Sequence, residues 1–407
     1  MANFFTDNED IVDFFENMDA QQLVELQEHG YSDAEFYDYA PENYEDAIDS
    51  YREVLELVGQ IAGDFIAPRA EDVDKEGAQL IDGEVQYAQG TREALEQLSH
   101  ADLMGFTLPR KYGGLNLPVV LYTMAIEIVS RADASLMNIF GLQDIAETLN
   151  SFADADIKDH YLPQFATGDV TGAMVLTEPD AGSDLGNVQL RAIYDEEEDQ
   201  WYLDGVKRFI TNGCAEVLLV LARSEEGSTG ARGLSLFVCD GDETVTVRRI
   251  EEKLGIHGSP TCELQFNRTP ARLIGRRRRG LSTYVMSLMN GARLGIAAQG
   301  VGIAQAALEE ARDYAASREQ FGKPIRQFPA VRKMLGDMHM KVETSRLLSY
   351  ETSMIVDMLH NIEELKETGE LEEMPGGEEL LGERRYFKRL ATALTPLVKY
   401  YATEMCN

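Results

Sequence analysis

What restricts the fold first is a periodicity that changes twice along the 407 residues. Up to about residue 165 the apolar positions recur at helical spacing. Tyr51, Val54, Leu55, Val58, Ile61, Ala62 and Phe65 form one stripe, which Pro68 ends. Residues 92–105 and 117–152 read as further helices around a turn-rich connector, residues 108–114. From 166 to about 275 the pattern becomes short apolar or alternating runs between Gly, Asp and Asn. Residues 189–194, 201–203, 217–222, 234–238 and 245–250 read as strands, and the acidic residues 195–199 as a hairpin tip. Helical spacing then returns at Val331, Leu335, Met338, Val342 and Ser345. It appears again at Phe387, Leu390, Leu394, Val398, Tyr401 and Met405, where Pro396 predicts a kink. Helices, then strands, then helices describe an α+β chain. A doubly wound dinucleotide fold would alternate its elements and open with GxGxxG, and neither is present. The expected organisation is a helical extension (1–48), a helical domain (49–166), a small central β-barrel or sandwich (167–277), and an incomplete C-terminal helical bundle (278–407). The bundle carries an acidic insertion at about 360–384. The last apolar stripe still runs at Asn407, without a C-cap glycine, which reads as a truncated helix.

Charge and cysteine usage narrow the partners. The formal net charge is -34, a field that repels phosphate and argues against nucleic acid or an anionic membrane. A salt-rich host would screen such a surface. No apolar run approaches the roughly 20 residues of a membrane span, and the acidic N-terminus resembles no leader peptide. Cys214, Cys239, Cys262 and Cys406 form no CxxC pair, and the six histidines show no close ligand pair. Neither a metal site nor a disulfide framework is expected, and a reducing cytoplasm fits.

Five segments carry candidate chemistry. Thr177-Glu178-Pro179-Asp180-Ala181-Gly182-Ser183-Asp184 follows the apolar run ending at Leu176. A strand ending in such a turn suits a planar hydrogen-bonding cofactor or a phosphate, and equally an ordinary Asx turn. In Phe209-Ile210-Thr211-Asn212-Gly213 the aromatic and the hydroxyl, two apart on a strand, share a face, and could stack on a ring and bond its edge. The alternative is a strand end before an Asn-Gly turn. Residues 254–261 form a Gly-rich loop in which His257 reads as structural. Asn290-Gly291-Ala292-Arg293 lies in a helix rich in glycine, each costing about 1 kcal/mol against Ala unless a neighbour approaches closely. Arg293 there needs a partner. Ser317-Arg318-Glu319-Gln320-Phe321 joins two helices, and serves either as a capping turn or as a fork for pyrophosphate with an aromatic beside it.

In this order and at these spacings, the five segments resemble the acyl-CoA dehydrogenase family from about residue 50 onward. The Thr177–Asp184 octapeptide matches the family's TEPxAGSD segment, and the connector ending at Gly114 its Pro-x-x-Tyr-Gly-Gly. The resemblance implies FAD as cofactor. Leu176 and Thr177 would contact the flavin edge, Phe209 would stand against its face where tryptophan is usual, and Thr211 would bond the ring nitrogen that accepts hydride. Ser183 would lie where flavin and thioester meet, Asn290 and Arg293 would line the CoA channel, and Arg318 and Phe321 would reach the ADP half of FAD held by a neighbouring subunit. The N-terminal extension is similar to the longer bacterial members, which include the methylmercaptopropionyl-CoA dehydrogenase group.

The implied reaction converts an acyl-CoA to a trans-2-enoyl-CoA, as in fatty-acid β-oxidation, with electrons passing to an electron-transfer flavoprotein and the protein forming a homodimer or homotetramer. Removal of the α-proton needs a carboxylate base of raised pKa in a dry pocket. Most members carry it in a late YEGT-like loop, which does not occur before Asn407. A minority carry it immediately before Arg293, where this chain has Ala292. The base is therefore expected beyond Asn407. Two other expectations remain open: a relative that uses oxygen, as an oxidase or flavin monooxygenase, and a homologue that binds FAD or acyl-CoA without the base. The run Arg276–Arg279 offers either a contact for CoA phosphates or a solvated basic loop.

Overall fold

The structure, a computed structural model, describes residues 2–407. Among the described residues, twelve α-helices and eleven strands follow one another. The first helices are α1 (Glu9–Asn17), α2 (Gln21–Gln27), α3 (Tyr44–Gln60) and α4 (Ala70–Glu76). The hairpin β1 (Gln79–Ile81) and β2 (Glu84–Gln86) precedes α5 (Gln89–His100), α6 (Val119–Ala132), α7 (Ala134–Phe140), α8 (Ile145–Phe152) and α9 (Ala155–Thr167). Then come β3 (Gly172–Val175), β4 (Arg191–Asp195), β5 (Gln200–Thr211), β6 (Val217–Arg223), β7 (Leu234–Asp240), β8 (Val245–Ile250) and β9 (Thr261–Ile274). The chain closes with α10 (Met286–Ser317), β10 (Glu319–Gln320), β11 (Lys323–Pro324), α11 (Pro329–Thr368) and α12 (Gly377–Met405). Two compact units result. One comprises residues 1–68, 116–134 and 293–407, the other residues 69–115 and 135–292. Among the described residues no helix is long and apolar enough to cross a membrane.

The second unit is built on the expected small β-domain. Strands β6, β4, β5, β9 and β7 pair in that order, and β7 pairs back onto β6, closing a barrel; β3 adds to β6 and β8 to β9. Most pairs are antiparallel, with β3–β6 and β4–β6 parallel. The apolar run of β6 explains itself here. Leu218, Val220 and Ala222 join one buried cluster with Leu203, Ile210 and Phe266. Val217, Leu219 and Leu221 join another with Leu149, Ile157 and Phe165 of α8 and α9. A strand covered on both faces loses its alternation.

The longest strand, β9, is missing from the sequence reading, and so is the hairpin β1–β2 within the stretch read as helical. In β9 the buried positions are Cys262, Leu264 and Phe266, then Thr269 and Ala271, with Ile274 at its end. The parity changes because Arg268 is an extra residue with φ of 50°, skipped in the register against β5. A bulge of this kind hides a strand from a period-two search. The stretch read as one helix over 117–152 is three, α6, α7 and α8.

The helical unit packs α10 against α11 and α12. Leu294, Ala297, Val301, Ala304 and Leu308, spaced by three and four, meet Val342 of α11 with Val398 and Ala402 of α12. Gly302 lets α10 approach α6: a Cβ there would collide with the Glu127 carbonyl and the Arg131 amide. The acidic residues after 360 extend α11 to Thr368 and open α12 at Gly377, with a turn between. Helix α12 runs without interruption through Pro396.

Candidate functional site

The site lies in the barrel unit, where β3 and β5 end side by side. Beyond β3 the chain turns tightly: Glu178 and Ala181 exchange amide-to-carbonyl hydrogen bonds at 2.9 and 3.2 Å, leaving Pro179 and Asp180 exposed at the tip. On the opposing strand the amide of Arg208 donates to the Thr177 carbonyl at 2.9 Å. The Leu176–Thr177 exit and the Arg208–Thr211 segment are thus brought together.

Strand β5 does not alternate simply. Its register against β9 passes from Lys207–Leu264 to Ile210–Cys262, so β5 carries one extra residue. Phe209 takes up the difference in the left-handed region, with φ of 60°. The bulge turns Lys207 inward, to 0% exposure, while Phe209 remains 51% exposed. In a regular strand those two side chains would share a face. The aromatic and Thr211 stand opposite the buried Ile210, as the spacing required, but the bulge is what separates them from Lys207. A non-glycine residue held at positive φ costs about 1–2 kcal/mol and persists because its surroundings are fixed.

Those surroundings are two buried polar anchors. Lys207 donates to the Leu176 carbonyl at 2.8 Å and pairs with Glu178 at 3.0 Å. Glu178 also accepts from the amides of Gln189, at 2.7 Å, and Leu190, at 2.9 Å. Burial is the larger influence on Lys207 and pushes its ammonium down to about 8, against the opposing pull of Glu178. At the other end Asn212 donates to the Gly172 carbonyl and the Thr171 hydroxyl, both at 3.1 Å, and accepts from the Tyr87 hydroxyl. Neither Lys207 nor Glu178 stood out in the sequence. Glu178 lay inside the first motif but was given no role there, and Lys207 preceded the second motif by two residues.

An isoalloxazine has apolar faces and a polar edge, and these residues suit it. An exposed aromatic is held rigidly beside two half-buried threonines. Among the described residues neither the Thr177 nor the Thr211 hydroxyl bonds to the protein. Leu176 is buried behind them. Ser183 lies past the turn on exposed chain, and Gly182 comes near the Thr177 methyl.

The remaining expected residues are distributed as follows. Asn290 is exposed on α10 within the barrel unit. Its neighbour Gly291 is explained by Asp144, whose carboxylate a Cβ would strike. Arg293, half-buried, belongs to the helical unit, as do Arg318 and Phe321. Arg318 donates to the Glu319 carbonyl at 3.0 Å. Phe321, with φ of 52° and 86% exposure, meets Phe328 edge-on and projects at the turn between β10 and β11. His257 serves as a staple: Nδ1 meets Asp74 at 2.8 Å and Nε2 the Lys253 carbonyl at 3.0 Å. In the arginine run, Arg277 and Arg278 both pair with Glu225, at 3.0 and 3.2 Å. The four cysteines are free thiols. Asp10, His339 and Glu343 bring possible ligand atoms within 4.8 Å of one another. The Arg346 guanidinium bonds Glu343 there and lies 3.9 Å from Asp10, so a cation already sits between those carboxylates.

Family models match in chain order: the acyl-CoA dehydrogenase N-terminal domain over residues 49–169, the middle domain over 173–269 and the C-terminal domain over 279–366. The 3-methylmercaptopropionyl-CoA dehydrogenase of Ruegeria pomeroyi is 34% identical over 387 residues, 88% of this chain and 62% of that protein. The chain therefore spans less than two thirds of that relative's length. An acyl-CoA dehydrogenase of Bacillus subtilis is 36% identical over 64% of this chain and 70% of its own. Among solved structures, butyryl-CoA dehydrogenase from Megasphaera elsdenii superposes with a TM-score of 0.69 at 26% identity, covering 88% of this chain and 95% of that one. The chain belongs to the acyl-CoA dehydrogenase family, whose members are FAD-dependent flavoprotein oxidoreductases acting on CH–CH bonds.

Proposed function

We propose that this chain holds FAD at the Thr177–Phe209–Thr211 edge and serves the α,β-dehydrogenation of an acyl-CoA thioester. The observation that carries this is the exposed, left-handed Phe209, fixed between two buried anchors next to two uncommitted threonine hydroxyls. Bound FAD would supply the acceptor for the substrate's β-hydride. Phe209 covers one face of the ring and keeps water from it. The Thr177 and Thr211 hydroxyls donate to the ring's polar edge, and Leu176 closes the space behind. Ser183 stands toward the thioester, with Asn290 and Arg293 along the CoA moiety. Arg318 and Phe321, exposed on their turn, suit the ADP half of an FAD carried by a second copy of the chain, in a homodimer or homotetramer. Electrons leave to an electron-transfer flavoprotein. The α-proton requires a carboxylate base. Ala292 stands where a minority of the family carry one, and no residue of this chain is assigned that role.

The test is direct. The purified chain should take up FAD in a defined ratio, with the resolved visible absorbance of a protein-held flavin. Thr211→Val combined with Phe209→Ala should weaken that uptake at least tenfold. Anaerobic addition of straight, branched and sulfur-containing acyl-CoA esters to the flavin-loaded protein then reads the substrate class by bleaching. A wild-type chain that takes up no FAD disposes of the proposal.

A further inference from the structure

We propose that Lys207 and Glu178 are positioning residues for the cofactor edge: the pair fixes the Leu176 carbonyl and, through it, the Thr177 exit and the Phe209 bulge. This deepens the FAD reading and rests on it.

The geometry separates this from a packing role. Two of the three ammonium protons of Lys207 are accounted for. One goes to the Leu176 carbonyl and one to Glu178. Glu178 spends its two oxygens on three groups: that ammonium and the amides of Gln189 and Leu190, which lead into β4. The pair therefore ties three backbone points together, at the end of β3, the start of β4 and the middle of β5. Two of these three points lead directly into the proposed cofactor edge. Thr177 follows Leu176, and the bulge residues Arg208 and Phe209 follow Lys207. The amide of Arg208 then closes the frame on the Thr177 carbonyl.

Energetics point the same way. A buried ion pair is weak evidence for stability, because desolvation consumes most of its Coulomb gain, and an apolar replacement of similar volume is often neutral or better. A fold that needed only a filled barrel wall at position 207 would be served by Leu or Met beside Ile210 and Leu264. What an apolar residue cannot do is hold the Leu176 carbonyl and the Glu178 carboxylate together at a strand's exit. The β5 bulge carries its own backbone cost and gains nothing from burial, since Phe209 is half exposed. The strain, the buried charge and the exposed aromatic become consistent if the ring of a ligand completes the face. The Asn212 anchor frames the same segment from its other end.

The experiment uses the 407-residue chain and FAD alone as probe. Apo-protein is titrated with FAD by fluorescence quenching, and the visible circular dichroism of bound flavin is recorded. The samples are wild type, Lys207→Met, Glu178→Gln, and Val238→Ala as a control. Val238 is fully buried on β7 and takes no part in the site. Lys207→Met should raise the FAD Kd at least tenfold and change the flavin circular dichroism, and Glu178→Gln should raise it severalfold. Val238→Ala, compared at equal distance below its own melting temperature, should bind as wild type does. Should Lys207→Met fail to fold, Glu178→Gln decides alone, since it keeps the Lys207–Leu176 contact and one amide acceptor. Folded variants with wild-type affinity and spectrum overturn the proposal. So does a Val238→Ala control that loses FAD equally, because general softening then accounts for the effect. A wild type that binds no FAD removes the functional reading itself, and is recognised before any variant is compared.

Discussion

Each unit buries an ion pair, and the two pairs spend their remaining hydrogen bonds differently. In the barrel unit, Lys207 and Glu178 reach out to backbone: one carbonyl and two amides around an exposed aromatic. In the helical unit, Arg346 donates to Glu127 through Nε and Nη2 at 2.9 and 2.7 Å, and to Gln305 at 2.8 Å. The Tyr350 hydroxyl donates to the same Glu127 at 2.7 Å. Every partner in that second set is a side chain, contributed by α6, α10 and α11. Glu127, Arg346 and Tyr350 are all but fully buried. A buried charge bonded to backbone at a strand's exit shapes a surface, whereas one bonded to side chains across three helices fixes how those helices register. The burial is the same in the two cases, and the destination of the bonds assigns the role.

The largest effect that would test this contrast comes from Arg346→Met. It leaves Glu127 buried with only Tyr350 as donor, and breaking such a pair costs about 3–5 kcal/mol. The melting temperature of the chain should fall steeply. Any molecules still folded should bind FAD with wild-type affinity, since the cluster touches no part of the proposed site. Folded Arg346→Met with a weakened FAD complex would break the contrast.

A smaller change, in function with stability nearly unaltered, is expected at Phe209. Phe209→Gly relieves a left-handed backbone worth about 1–2 kcal/mol, returns about 1 kcal/mol through glycine's freedom in the unfolded chain, and loses a cation–π contact from Arg208 at 4.6 Å. Stability should stay within about 1 kcal/mol of wild type. FAD affinity should fall by about two- to tenfold, the value of one aromatic stacking contact of about 0.5–1.5 kcal/mol. A large loss of stability, measured by urea unfolding, would mean that Phe209 is a core residue rather than a platform.

How much of this was legible beforehand follows the same division. The turn chemistry of Thr177–Asp184 and the aromatic–hydroxyl spacing of Phe209 and Thr211 are local, and local patterns survive in a sequence. The inward turn of Lys207 was not legible because it depends on a one-residue bulge in β5, and its pairing with Glu178 joins segments 29 positions apart. A similar slip at Arg268 breaks the alternation of β9, which the sequence reading missed. In the helices the stripe through Val342 and Ser345 could be read, but not the buried Arg346 beside it. Its partner Glu127 did carry a signal, as the one acidic residue in the apolar run from Val119 to Val129. Pairing across 219 positions is decided by packing, which no single-sequence period reports.

The smallest expected effect is a difference in pH response. In the helical unit Asp357 is buried and accepts from the amides of Val119 and Val120 at 2.6 and 2.9 Å, capping α6 from α11. Burial outweighs those two donors and pushes its carboxyl up to about 7 from an ordinary 3.8. Glu343 is pushed up to about 7 from 4.5, mainly by burial, with Asp10 adding and Arg346 opposing. Both pKa values are higher in the folded state, so the fold binds more protons than the unfolded chain between them. The stabilising contribution is complete below about pH 4 and is lost as pH rises through 7. Lys207 has the reverse sign. Its folded value of about 8 lies below the ordinary 10.5, so the unfolded chain binds more protons there, and its contribution rises with pH across that interval. Urea midpoints measured from acid to alkaline pH should show Asp357→Asn and Glu343→Gln flattening the slope below pH 7, and Lys207→Met flattening it only above 8. If Asp357→Asn leaves the acid slope as it was, the two amide donors rather than burial govern that carboxyl.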